Sequence, residues 1–162
     1  MAPPYEEKMS VVVLAILDDV ISKLQAAPAS RVYLNPIPAD HIDRGLPPIK
    51  NMKVPPSIYI ELVSTVQPDW HTTNAITIKC NFEIFITVSQ GKNYKTSQTE
   101  LINLAGDVFD TLANLDSTEL GGAARLTVSP NIEYGGYATG SAYRRYAIIT
   151  FSADHAFIVD TG

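Results

Sequence analysis

The residues in this chain able to ligate a metal or carry a nucleophile stand far apart: His41, His71, His155 and the single cysteine, Cys80. Asp40, His41 and Asp43 form the densest group of possible ligands. They lie in a proline-rich stretch with no second histidine or cysteine beside them, whereas zinc and other transition-metal sites draw three or four donors together. A solvated loop is the simpler reading, and no metal or other cofactor is expected. His155 could be oriented by Asp154 or Asp160, but no serine occupies a Gly-x-Ser-x-Gly elbow. Ser141 follows Gly140 and lacks the second glycine, so a hydrolytic triad is not supported. Gly135, Gly136 and Gly140 precede neither a phosphate-binding lysine nor a helix. With Tyr134, Tyr137 and Tyr143 interleaved among them, they read as a hairpin tip and a possible contact surface. Cys80 falls in register with apolar neighbours and reads as a small buried hydrophobe. It has no partner for an internal disulfide, which suits a reducing compartment. No catalytic residue is assigned.

The elements that would position these residues are clearer. Thirteen residues from Ile76 to Val88 alternate strictly. Ile76, Ile78, Cys80, Phe82, Ile84, Ile86 and Val88 are apolar; Thr77, Lys79, Asn81, Glu83, Phe85 and Thr87 stand between them, with Phe85 the one break in the polar series. Such a period of two predicts a strand with one buried and one open face, reaching roughly 40 Å at ~3.3 Å per residue. Ser57 to Val66 predicts an antiparallel partner, joined by a loop that carries Trp70 and His71. Met9, Val13, Ile16, Leu17, Val20, Ile21 and Leu24 form a helical stripe within Glu6–Ala27. Ser97 to Glu100 reads as a capping box opening a second helix over Ser97–Leu115. Arg31 to Leu34 suggests a short strand, and Ala124–Tyr134 and Tyr143–Phe157 two last strands. Pro130 implies an edge or a bulge in the former; the latter is apolar on both faces and reads as interior. Arg144 and Arg145, the only adjacent basic pair, point to opposite faces.

The stretch from Asn35 to Pro56 holds six of the eleven prolines and predicts an irregular loop. Loops of this length in a compact domain tend to be functional or ordered by a partner, and this one reads as an arm reaching a neighbouring subunit or as a stiffened surface loop. The expected fold is α+β: one domain over residues 1–162, with a single antiparallel or mixed sheet, a long hairpin and two amphipathic helices on one face. The other sheet face is left uncovered unless another chain covers it.

Composition sets further bounds. Twelve basic against 17 acidic residues give a net charge of −5, which disfavours non-specific nucleic-acid binding. The longest apolar run, Val11 to Leu17, is too short to span a membrane. Glu6 and Glu7 stand where a signal peptide needs positive charge, so neither a membrane nor a secretory role is expected.

Taken together, the opening helix Glu6–Ala27, the hairpin Ser57–Val88, the capped helix Ser97–Leu115 and the strands within Ala124–Phe157 resemble the tail terminator proteins of long, non-contractile-tailed bacteriophages. The likeness is one of architecture and spans nearly the whole chain, although the proline loop has no counterpart. It implies a virion structural protein that is not an enzyme: a ring, expected as a hexamer, that caps the tail tube and presents a surface to the head connector, with DNA passing through the lumen without specific binding. It also implies a place at the head-proximal end of the tail, after assembly in the host cytoplasm. Exposure arguments nominate Trp70, His71, Phe85, Tyr134, Tyr137, Arg144 and Arg145 as interface residues. Alternatives are another tail-tube or head-completion protein, a small hotdog-type thioesterase using Glu83 or Asp107, and an adaptor domain.

Overall fold

The computed structural model describes residues 9–70, 75–91, 93–115, 125–140 and 142–158. Helix α1 spans Met9–Gln25, and its stripe from Val13 to Leu24 is buried together with Val12. The chain then passes through a short strand β1 (Ile42–Arg44) flanked by single 3-10 turns at Ala39–His41 and Ile49–Asn51. Strands β2 (Ser57–Trp70) and β3 (Ala75–Ser89), helix α2 (Tyr94–Ala113), and strands β4 (Arg125–Thr139) and β5 (Ala142–Ile158) follow. The five strands form one sheet in the order β1-β2-β3-β5-β4. β1 runs parallel to β2 and every other pairing is antiparallel, so the sheet is mixed and the fold is α+β.

Strand β3 is the spine of this sheet. Cys80, Phe82, Ile84, Ile86 and Val88 are all buried in one cluster with α1, α2 and the facing residues of β2 and β5. Across the β3–β5 register, Phe82 faces Phe151, Ile84 faces Ile149 and Ile86 faces Ala147. The two phenylalanine rings stack with centroids 4.9 Å apart and planes inclined by 16°. β5 is an interior strand between β3 and β4; Ala147, Ile149 and Phe151 join the core under the helices, and Tyr146 on its other face stacks on Phe85. β4 is an edge strand, and its register with β5 shifts between Val128 and Ile132, around Pro130, whose ring nitrogen has no hydrogen for a ladder bond.

Several boundaries differ from those read in the sequence. Residues 31–34 form a turn, not a strand: Asn35 N–H donates to the Arg31 carbonyl at 2.8 Å, and the Tyr33 and Leu34 amides donate to Asp107 Oδ2 at 2.7 and 3.2 Å. Those amides are therefore unavailable to a ladder. The proline stretch is more ordered than its composition predicts, since it contains β1, and β2 continues through Trp70, which the sequence placed in the loop. The second helix begins three residues before Ser97. Asn93 is its N-cap, its Oδ1 accepting from the Lys95 and Thr96 amides at 3.1 Å each. Ser97 is buried inside the first turns, and its hydroxyl donates to the Tyr94 carbonyl. Asparagine caps as well as serine does, so the helix starts one turn earlier than the Ser97–Glu100 spacing indicates.

Capping by Asn93 is expected to show in stability. Asn93→Ala should lower it by about 1 kcal/mol in denaturant unfolding, and Ser97→Ala, which gains helix propensity, should lower it less. The reverse order would return the cap to Ser97.

Candidate functional site

The sheet face turned away from the helices divides into two regions. At one end, Phe85 of β3 stacks on Tyr146 of β5 (centroids 5.3 Å, planes 18° apart), and Tyr137 of β4 lies 6.3 Å from both rings. Tyr59 of β2 sits opposite Phe85 in the ladder and is buried. The proline segment closes over this cluster. Lys53 N–H donates to Tyr59 Oη at 2.7 Å, and Tyr137 Oη donates to Met52 Sδ at 3.5 Å while standing 3.2 Å from Thr87 Oγ1. Ser57 and Thr87 are wholly buried beneath it. The expectation of an uncovered second face is thus corrected at this end: the chain's own residues from Met52 to Pro56 form the cover. His41 belongs to the same support, with Nδ1 3.2 Å from the Pro56 carbonyl.

Two glycines make room for the aromatic rings. Gly135 pairs with Tyr146, and a Cβ there would stand 2.5 Å from the Tyr146 Cζ. Gly136 is likewise covered by the Tyr143 ring on the opposite face. These rings shield the bare backbone of an edge strand. Gly140, with φ of 60°, supplies the left-handed turn between β4 and β5.

Beyond the aromatic end the face carries a short acidic row, which gives way to the hydrogen-bonded pair Asn81–Ser64 and then to Lys79. Glu61 of β2 lies directly opposite Glu83 of β3. Glu83 and Glu133 line a shallow depression of about 360 Å³ with Asn131, Ile132, Ile148 and Thr150. Like charges directly opposite one another destabilise a ladder, and neither Glu61 nor Glu83 has an ion-pair partner among the described residues.

The residues nominated from sequence do not form one patch. Phe85 and Tyr137 share the aromatic cluster, and Arg144 faces Tyr137 across the β4–β5 ladder. Tyr134 and Arg145 fall on the opposite side by alternation. Trp70 ends β2 opposite Ile76, near the other end of the hairpin; His71 lies outside the described residues. Met52, Tyr59, Tyr146 and Glu61 were not singled out from sequence. Strand register reveals Tyr59, Tyr146 and Glu61, and the fold of the proline segment brings Met52 to Tyr137.

A chain from a solved structure described as the virion of a native gene transfer agent (GTA) particle is similar to this one. The two share 15% sequence identity with a TM-score of 0.51, over 91% of this chain and 96% of that chain. At this identity the likeness shows a shared fold. No protein-family model and no curated protein matches the chain.

Catalytic readings find little in the geometry. Asp107 is engaged by two backbone amides of the 31–34 turn, while Glu83 lies on the far side of the sheet, so the two thioesterase candidates share no pocket. A depression of about 500 Å³ beside α2 is lined by Tyr33, Lys95, Thr96, Thr99, Glu100 and Asn103 and includes neither. Asp40 pairs with Lys53 at 3.9 Å, and Asp43 Oδ1 accepts from the Arg44 amide. Among the described residues no three His, Cys, Asp or Glu side chains are grouped to hold a metal ion. Also among these residues, no helix is long and apolar enough to cross a membrane. Burial pushes the Cys80 thiol up, and the Asp154 carboxylate adds to the shift, which disfavours the thiolate a nucleophile requires.

Two outcomes follow. Gly135→Ala should cost roughly 1–3 kcal/mol by forcing Tyr146 off its site, and the cost should shrink in a Tyr146→Ala background, measured as a double-mutant cycle in denaturant. Cys80 should resist a thiol reagent at neutral pH in the folded protein and react once urea unfolds it; rapid native labelling would contradict the burial.

Proposed function

We propose that this protein is a structural subunit of a phage-like virion, acting as a tail terminator: a ring, most simply a hexamer, that closes the tail tube and offers a surface to the head connector. The observation that carries the reading is the fold shared, nearly end to end, with a chain of a gene transfer agent virion particle. Two features of the chain support it. The outer sheet face brings Glu61, Glu83 and Glu133 together, and neither Glu61 nor Glu83 has an ion-pair partner among the described residues. The net charge of −5 suits a wall past which DNA moves without sticking.

In this reading the subunits join by heterologous contacts, which close into rings when the rotation allows. Trp70, which ends β2, and His71, which follows it in sequence, are the proposed contact with the tube or connector. Tyr134, Arg144 and Arg145, near the free edge of β4, are proposed to contact a neighbouring subunit. Phe85 and Tyr137 serve the proposed interface indirectly, by fixing the proline segment that covers them.

The test is native mass spectrometry of the purified protein, alone and after addition of tail tubes. Six-fold rings, free or formed on the tube, are the expected result. A strict monomer at high concentration that also leaves tubes unbound would overturn the reading.

A further inference from the structure

The segment from Arg44 to Pro56 stands out in charge. It carries Arg44, Lys50 and Lys53 and no acidic residue, in a chain whose net charge is −5. It also presents apolar side chains to solvent: Leu46, Ile49 and Val54, the last 72% exposed. Exposed aliphatic groups alternating with cations are a costly composition for a loop whose only role is connection.

This segment is not a loose one. Gly45 N–H donates to the Ile60 carbonyl at 2.8 Å, and the 3-10 turn is closed by Asn51 N–H to the Pro48 carbonyl at 2.8 Å. The Lys53 amide is held by Tyr59, and Met52 lies against Tyr137. Four prolines, Pro47, Pro48, Pro55 and Pro56, restrict φ between those anchors. The ordering that binding usually demands is therefore met during folding. A pre-shaped basic and apolar arm results.

The surface complementary to it adjoins the arm on the same sheet face, one outward-facing ladder pair beyond Tyr59–Phe85. Glu61 and Glu83 face each other across the β2–β3 ladder without a cation, and Glu133 adds a third carboxylate near the half-buried Ile148. Within one subunit the arm's charges go to other partners: Arg44 Nη1 lies 3.7 Å from Asp18, and Lys53 Nζ lies 3.9 Å from Asp40. Lys50 has no ion-pair partner among the described residues. Complementary groups that one subunit does not pair with each other can be paired between copies, and a contact that is not two-fold generates a closed ring or a filament when it repeats.

We propose that the arm of one subunit, through Lys50, Lys53 and Ile49, docks on the Glu61–Glu83 row of the next copy. The proposal rests on the ring reading above and names the contact that builds the ring. The arm supplies cations to the unpaired carboxylates, and its exposed aliphatic groups leave water against the neighbouring sheet.

Charge exchange tests it. The variant Lys50→Glu/Lys53→Glu has an acidic arm and an acidic face; Glu61→Lys/Glu83→Lys has a basic arm and a basic face. Each alone should associate at least ~100-fold more weakly than the wild type, as expected for like charges brought together at an interface. An equimolar mixture should restore rings of alternating composition, because every arm then meets a face of opposite sign. Native mass spectrometry reads both the ring and its alternation, and circular dichroism shows that each variant is folded. If Glu61→Lys/Glu83→Lys proves unfolded, Glu61→Lys alone, at an exposed position, takes its place. Should wild-type rings form and either folded variant also form rings alone, or should two folded variants fail to co-assemble, the contact is wrong. If the wild type never assembles, even on tail tubes, the ring reading itself fails and this contact with it.

Discussion

Everything in this fold depends on the register of β3 against β5. Side chains in a strand alternate with a period of two, so a slip of one residue would turn Phe82, Ile84 and Ile86 to the outer face and bring Glu83 and Phe85 beneath the helices. The stack of Phe82 on Phe151 and the facing pair Ile84–Ile149 hold the correct alignment. Fully burying side chains of this size contributes about 1.5–3 kcal/mol each. Both helices are amphipathic, and their apolar stripes are buried in the same cluster as the inner face of this sheet.

The same alignment decides what the outer face can do. By fixing Phe85 against Tyr146 and Tyr137, it gives the proline segment something to rest on. The companion register of β2 against β3 sets Glu61 opposite Glu83 and leaves a pair of carboxylates without an ion-pair partner among the described residues. One half of the face therefore satisfies itself, and the other half carries carboxylates that no described cation pairs. A small subunit can spend stability in this way when its surface is completed by assembly, which is how the arm and the acidic row are joined in the proposed ring.

Much of this was legible in the sequence, for identifiable reasons. The alternation through Ile76–Val88 and the stripe from Val13 to Leu24 are periodic signals, and periodicity survives without knowledge of tertiary contacts. Pro130 marked the edge strand because a proline nitrogen cannot donate to a ladder. What escaped depends on contacts distant in sequence. The 31–34 turn owes its shape to Asp107, more than 70 residues away. β1 exists because β2 offers a parallel edge to a segment whose composition argues against a strand. The role of Phe85 was partly hidden for the same reason: as the lone apolar residue in a polar series it looked like an interface residue. Its neighbours Tyr137 and Tyr146 come together only through the β3–β5–β4 register.

The central claim is that this subunit closes one ring at one end of a tube. It is tested most directly by imaging assembled particles with the subunit labelled. One ring-shaped layer of label at the head-proximal end of the tail is the expected result. Label distributed along the whole tube, or absent from the particle, would contradict it.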